Sequence, residues 1–198
     1  MNKIILASAS PRRRELLHQI GMEFEAFPST AEENLPDKEA LPPYEIVKSL
    51  SHQKARDIFE KLPEEKRNGS VVIGADTVVA FKDKVMGKPG SRQEAVSMLS
   101  SLQGNSHHVY TGVTLIKGAG MGEPPCEITF YEKTEVVMYP MSEEEISAYV
   151  DTGEPMDKAG AYGIQGRCAA FIREIHGDYS NVVGLPTGRL YQEMKKIQ

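Results

Sequence analysis

Three arginines stand at the start of a predicted helix, where local rules favour acidic side chains. Arg12, Arg13 and Arg14 follow the small polar residues Ser8 and Ser10. The amino end of a helix carries about half a positive charge and free N–H donors, so cations there repel it. A phosphate chain resting on the N–H groups after the serines, with the arginines bridging its oxygens, would remove that conflict. The alternative is a solvated basic patch.

A carboxylate follows the most strand-like run of the sequence, Val71-Val72-Ile73. The run is expected to end at Gly74-Ala75, which places Asp76 at the end of a buried strand beside small residues. In open α/β sheets ligands bind at the carboxyl ends of strands, and a rigidly held carboxylate suits metal binding or proton transfer. The alternative is that Asp76 only makes a turn with Thr77.

Three lysines occupy unusual places. Lys54 shares the apolar stripe of a predicted helix with Leu50 and Ile58, so it either reaches the rim of the core or meets an anionic partner. Lys88 lies in a predicted short loop between Gly87 and Pro89. Lys158 lies in another, just before Ala159. Each of these two is weak evidence alone, because lysines in exposed loops are ordinary.

Helical and strand patterns alternate along the chain without repeats, which predicts an α/β fold with a mixed sheet. Ser10 is a predicted helix cap, and Ser91 and Ser142 each begin a capping box. The predicted strands are 4–7, 22–26, 71–73, 77–81, 85–86, 109–116, 128–138 and 168–175, and the predicted helices are 11–20, 44–61, 91–102, one beginning after 142, and 187–196.

Length and composition indicate one domain of 198 residues with a formal net charge of −5. This acidic balance makes a nucleic-acid partner unexpected. The only two cysteines, Cys126 and Cys168, are far apart, which argues against a disulfide scaffold. The short apolar run near the amino terminus predicts neither a signal peptide nor a membrane span, so a cytoplasmic location is expected.

Six segments of the chain resemble the signature segments of the Maf family of nucleotide pyrophosphatases, in the family's order. They are Ser8-Ala9-Ser10-Pro11-Arg12-Arg13, Glu32-Glu33, Gln53-Lys54-Ala55, Gly74-Ala75-Asp76-Thr77, Gly87-Lys88-Pro89 and the run from Asp157-Lys158 to Gly166. Each segment is weak alone, but the set covers nearly the whole chain and is highly specific.

The resemblance implies a single Maf-like domain over residues 1–198, with a long twisted mixed sheet, flanking helices and two lobes around a central cleft. It also implies hydrolysis of nucleoside triphosphates to the monophosphate and pyrophosphate, with Mg²⁺ or Mn²⁺ as cofactor. Asp76 corresponds to the proton acceptor and Glu33 to its partner carboxylate at the metal, and Lys54 and Lys88 are expected to assist catalysis. The expected substrate-binding residues are Ser8, Arg12, Arg13, Thr77, Lys158 and Gln165.

The residues Arg12, Thr77 and Gln165 resemble those of the family branch that acts on dTTP and UTP. One alternative is the branch that prefers 7-methylguanosine triphosphate. Another is a regulator of septum formation that acts through a protein or nucleic-acid partner. A homodimer is the family expectation.

Overall fold

The computed structural model describes residues 3–32, 35, 41–82, 84–119 and 123–197. Its strands are β1 (Lys3–Leu6), β2 (Phe24–Ala26), β3 (Ser70–Phe81), β4 (Lys84–Met86), β5 (Ser106–Lys117), β6 (Cys126–Met138) and β7 (Ile172–His176). Its α-helices are α1 (Pro11–Gln19), α2 (Pro43–Lys61), α3 (Glu64–Arg67), α4 (Arg92–Leu102), α5 (Glu143–Val150), α6 (Tyr179–Val183) and α7 (Thr187–Ile197). Short 3₁₀ turns span Glu154–Asp157, Ala159–Ala161 and Arg167–Phe171.

One seven-stranded sheet connects the strands in the order β2-β1-β3-β5-β6-β7, and β4 pairs with β3. β1 runs parallel to both β2 and β3, whereas the β3–β4 and β6–β7 pairs are antiparallel. The predicted mixed α/β class is therefore confirmed.

Two compact units divide the chain. The first comprises Met1–Asp76, Thr111–Glu132 and Gly184–Gln198, and the second comprises Thr77–Tyr110 and Lys133–Val183. Each unit buries its own apolar side chains, for example Ile5, Phe59 and Val72 in the first and Leu99 and Tyr149 in the second. The expected cleft between two lobes stays a prediction.

Several helix starts follow the rules that the sequence suggested. The Ser91 hydroxyl accepts the N–H of Glu94 at the start of α4. At α5, Ser142 and Glu145 form the predicted reciprocal capping box. Each bond satisfies an N–H group that the helix itself leaves without a partner. None of the helices in the described part of the chain is long and apolar enough to cross a membrane.

Three local predictions were wrong. Ser10 occupies the N-cap position of α1, but its side chain makes no capping bond. Its N–H donates to the Ser8 hydroxyl at 3.2 Å. The predicted strand 168–175 begins only at Ile172, after the 3₁₀ turn Arg167–Phe171.

The third wrong prediction concerns the break at residues 74–76. β3 continues from Ser70 to Phe81, so Asp76 lies in the middle of a strand and not at its end. The strand continues because the residues after Asp76 are again apolar and buried, including Val78, Val79 and Ala80.

Candidate active site

Asp76 and Lys54 form a close ion pair in the first unit. The Lys54 Nζ donates to Asp76 Oδ1 at 2.6 Å, and the two side chains are 19% and 11% exposed. Of the two alternatives for Lys54, an anionic partner is therefore the one the structure adopts. The pair joins the candidate proton acceptor on β3 to the middle of α2.

Gly74 lets α2 approach β3 closely enough for this pair to form. A Cβ atom at position 74 would overlap the Ser51 carbonyl oxygen and would lie 2.7 Å from the Ala55 nitrogen. Only glycine leaves room for a helix backbone at that distance. The small residue thus serves the packing that brings Lys54, the neighbour of Ala55, to Asp76.

Ser8 and Arg13 form a second pair in the same unit. Arg13 Nη1 donates to the Ser8 hydroxyl at 3.2 Å, and its Nε donates to the Gly184 carbonyl at 2.9 Å. The guanidinium is therefore held against the chain and does not extend into solvent. Arg12 is half-buried in the first turn of α1, which contains no acidic residue.

Parallel pairing places these two groups near the point where β1 ends beside β3. Leu6 of β1 stands opposite Ile73 of β3, and the Ala7 N–H donates to the Ile73 carbonyl at 2.8 Å. Ser8 follows Leu6 by two residues and Asp76 follows Ile73 by three. Ser8 therefore lies just beyond the carboxyl end of β1, whereas Asp76 lies within β3, which continues to Phe81.

The second unit contains the remaining described site candidates. Lys158 Nζ donates to the Glu154 carbonyl at 2.6 Å and to Asp157 Oδ1 at 2.7 Å. The Gly160 N–H donates to the Gly87 carbonyl at 3.0 Å, which ties the loop before Lys88 to the glycine-rich segment.

Three further candidates show different degrees of exposure. Gln165 and Lys88 have exposed side chains, and Thr77 is half-buried on β3. The bond between Gly160 and Gly87 thus links the segments that carry Lys158 and Lys88, and Gln165 follows later in the glycine-rich segment.

The predicted metal ligand Glu33 lies outside the described residues. Among the residues that are described, His, Cys, Asp and Glu form no cluster of three that could hold a metal ion. Of the expected ligand pair, the structure therefore describes Asp76 alone.

A comparison with protein-family models matches residues 3–197 to the family described as "Maf-like protein". The chain belongs to the Maf family. A relative from Agathobacter rectalis, called dTTP/UTP pyrophosphatase, is 50% identical over 100% of this chain and 98% of its own. A relative of the same name from Geobacillus sp. is 45% identical over 100% of this chain and 99% of its own. Another, from Carboxydothermus hydrogenoformans, is 48% identical over 98% of both chains.

Two residues of this Maf chain that sequence reasoning missed bind the glycine-rich segment. The Tyr149 hydroxyl donates to Glu154 Oε1 at 2.9 Å and accepts the Gly163 N–H at 3.2 Å. Burial raises the pKa of Tyr149 above its usual value, which further favours the protonated hydroxyl that this bond to Glu154 requires. The sequence feature that could have indicated this role is the position of Glu154 shortly before the glycine-rich segment.

The same surroundings affect a neighbouring thiol. Burial, together with the charge of Glu154, raises the pKa of Cys168 to about 12. A thiol with so high a pKa is protonated at neutral pH and is a poor nucleophile. This agrees with a mechanism that does not use covalent catalysis by Cys168.

Proposed function

We propose that this chain hydrolyses dTTP and UTP to the nucleoside monophosphate and pyrophosphate. The observation that carries the proposal is the identity of 45–50% with relatives called dTTP/UTP pyrophosphatase, over essentially the full length of both chains. The partly buried ion pair of Lys54 and Asp76 supports it, because it supplies a rigidly held carboxylate for this chemistry. The proposed unit of function is one Maf domain over residues 1–198, of which the family model matches 3–197.

The proposed reaction is in-line attack of water on the α phosphorus, with pyrophosphate as the leaving group. Asp76 accepts the proton of the attacking water as general base. Lys54 orients the Asp76 carboxylate through the bond at 2.6 Å. No phosphorylated enzyme is formed in this scheme.

Four cationic side chains are proposed to bind the negatively charged oxygens of the triphosphate. In the first unit, Arg12 and Arg13 bind phosphate oxygens beside Ser8. In the second unit, Lys88 and Lys158 are assigned the same task. Charge-assisted bonds of this type are about twice as strong as bonds between neutral groups.

A divalent cation, Mg²⁺ or Mn²⁺, fits the chemistry of the described donor. Mg²⁺ is usually bound by one or two carboxylates together with substrate phosphates, and Asp76 supplies one hard oxygen ligand. Lys54 occupies Oδ1 of that carboxylate, which has a second oxygen. We assign Asp76 and Glu33 as its ligands. When bound, such a cation acidifies water and neutralises phosphate charge.

Gln165 is the proposed reader of the base, and its side chain is exposed in the second unit. Uracil and thymine present an N3–H donor flanked by carbonyl acceptors, and a glutamine amide offers the matching acceptor and donors. Cytosine inverts this pattern. Arg12 and Thr77 are the other positions assigned to this branch of the family.

The proposed location is the cytoplasm, because the proposed substrates are free nucleotides that are used there for nucleic-acid synthesis. The proposed partners are these nucleotides, without nucleic acid. A homodimer stays a prediction from the family.

The test is a screen of nucleoside triphosphates with Mg²⁺ and with Mn²⁺, in which pyrophosphate and phosphate are measured separately. We expect dTTP and UTP to be preferred over dCTP, GTP and 7-methylguanosine triphosphate. Asp76→Asn should lower kcat by about 10²- to 10⁴-fold, the usual value of a general base. Preference for 7-methylguanosine triphosphate, or the absence of pyrophosphate, would contradict the proposal.

Asp57→Asn is the matched control, because Asp57 also pairs with a lysine of α2, Lys61, at 2.7 Å. It removes an ion pair of similar length outside the site. Its kcat should stay near that of the wild type. An equal loss in both variants would assign Asp76 to structure and not to chemistry.

A further inference from the structure

The glycine-rich segment that carries Gln165 is bound at two points by one carboxylate and one phenol. Glu154 Oε1 accepts the Tyr149 hydroxyl at 2.9 Å, and Glu154 Oε2 accepts the Arg167 N–H at 3.1 Å. The Tyr149 oxygen also accepts the Gly163 N–H at 3.2 Å. The two ends of residues 163–167, which we call the Gln165 loop, are therefore fixed by the same pair of side chains.

The pair is itself held firmly. Tyr149 is 3% exposed and lies in the last turn of α5, where Ile146 and Val150 are also buried. Its hydroxyl has one proton, which it donates to Glu154, so its lone pairs remain for the Gly163 N–H. The direction of each bond is thus determined, and a substitution at either residue disturbs both ends of the loop.

Glycines in the loop make room for these contacts. A Cβ atom at Gly166 would lie 2.5 Å from Glu154 Oε2, and one at Gly163 would lie 2.6 Å from Lys158 Cε. The Glu154 carbonyl also accepts the Lys158 ammonium at 2.6 Å. Glu154 therefore contacts Lys158 through its backbone and the Gln165 loop through its side chain.

Gln165 itself is exposed between the two fixed ends. Its backbone position depends on turns such as the bond from the Gly166 N–H to the Gly163 carbonyl at 3.2 Å. Hydrogen-bond readout of a base requires placement within a fraction of an ångström, so a side chain on a loop needs support from its surroundings.

We propose that Tyr149 and Glu154 are positioning residues for base selection, which hold the Gln165 loop in the conformation that presents Gln165 to the pyrimidine. This inference rests on the proposed function, because it concerns the preference of that same site. Neither residue is assigned a contact with the substrate. Both act through the placement of Gln165.

The test compares Glu154→Gln and Tyr149→Phe with the control Glu145→Gln. Glu145 also accepts a backbone N–H, that of Ser142, at the opposite end of α5. For each variant, kcat and KM are measured with dTTP and with dCTP, and Tm is recorded. We expect the ratio of kcat/KM for dTTP to that for dCTP to fall about tenfold in the two test variants, because each loses a bond that involves a charged group. The ratio in Glu145→Gln should not change.

A double-variant measurement separates positioning from general damage. Gln165→Ala should lower the same ratio, and adding Glu154→Gln to it should lower the ratio no further, since both act through one contact. Equal loss on dTTP and dCTP in Glu154→Gln, or additive effects in the double variant, would overturn the proposal.

Failure of the proposed function can be distinguished from failure of the role proposed for Tyr149 and Glu154. A wild-type protein that does not hydrolyse dTTP or UTP would refute that function. Amide hydrogen exchange at Gly163 and Arg167 still tests the loop. We expect faster exchange at these two amides in Tyr149→Phe and Glu154→Gln but not in Glu145→Gln. Unchanged exchange would refute the role of the pair.

Discussion

Gly74→Ala tests whether the approach of α2 to β3 creates the Lys54–Asp76 pair. The new Cβ would lie 2.7 Å from the Ala55 nitrogen and 2.8 Å from the Ala55 Cβ, whereas ordinary contact begins at 3.4 Å. The atoms involved belong to the body of a helix, so α2 must retreat by about 1 Å at this point. The bond from Lys54 to Asp76, 2.6 Å long, would then stretch beyond hydrogen-bonding distance.

Two effects of this substitution are expected. Overpacking of this kind typically costs about 1–3 kcal/mol of unfolding free energy. A misplacement of about 1 Å can cost roughly a hundredfold in rate, so kcat should fall by at least about tenfold. Urea unfolding measures the first effect, and steady-state hydrolysis of dTTP at saturating metal measures the second.

Gly188→Ala is the control for Gly74→Ala. Gly188 lies in α7, and a Cβ there meets nothing within 4 Å. Because alanine favours helix over glycine, this variant should be as stable as the wild type or up to about 1 kcal/mol more stable, with unchanged kcat. If Gly74→Ala matched this control in both stability and kcat, the packing argument for the Lys54–Asp76 pair would be wrong.

Three further predictions concern other residues. Arg13→Ala should lower kcat/KM for dTTP by about ten- to a hundredfold without loss of folding, and unchanged kinetics would assign Arg13 to its bonds with Ser8 and Gly184. Gln165→Glu should lower activity on dTTP and UTP more than on GTP, because a carboxylate would face a base carbonyl; an equal loss on all three would leave base preference without a source. Burial lowers the pKa of His107 to about 4, so stability should be constant above about pH 6.5 and fall towards pH 4, by roughly 3 kcal/mol at most. Urea unfolding across this range should show a steeper slope in the wild type than in His107→Phe, because carboxylates with a lowered pKa, such as Asp57 and Glu193, contribute to the slope in both proteins.

The sequence predicted most helices well because their apolar stripes and caps are local signals. α2, α4 and α7 begin within one residue of their predicted starts. The mixed class also followed from the alternation of patterns. The neighbouring β5 and β6 appear where two long strands were expected, although both extend beyond the predicted limits.

Predictions that depended on distant contacts were less accurate. Gly74 was read as the end of a strand, but it is the place where another element crosses β3. Ser10 occupies the predicted N-cap position, but its side chain makes no bond to α1. Sequence rules judge a glycine by its immediate neighbours, whereas the role of Gly74 depends on its packing against Ser51 and Ala55 of α2.

Individual site residues could be predicted, but their contacts could not. Asp76 and Lys54 were both selected from sequence, yet they are 22 residues apart and nothing local predicts a bond between them. Glu154 was missed because its importance lies in what it binds, namely Tyr149 and the backbone of Arg167.

In the proposed reaction, water attacks the α phosphorus and releases pyrophosphate. Hydrolysis of dTTP in water enriched in ¹⁸O, followed by ³¹P NMR or mass spectrometry of the products, shows which phosphorus atom is attacked. We predict one ¹⁸O atom in dTMP and none in pyrophosphate, at a rate that falls by about 10²- to 10⁴-fold in Asp76→Asn. Label in pyrophosphate or in free phosphate, with unlabelled dTMP or with dTDP as product, would contradict this mechanism.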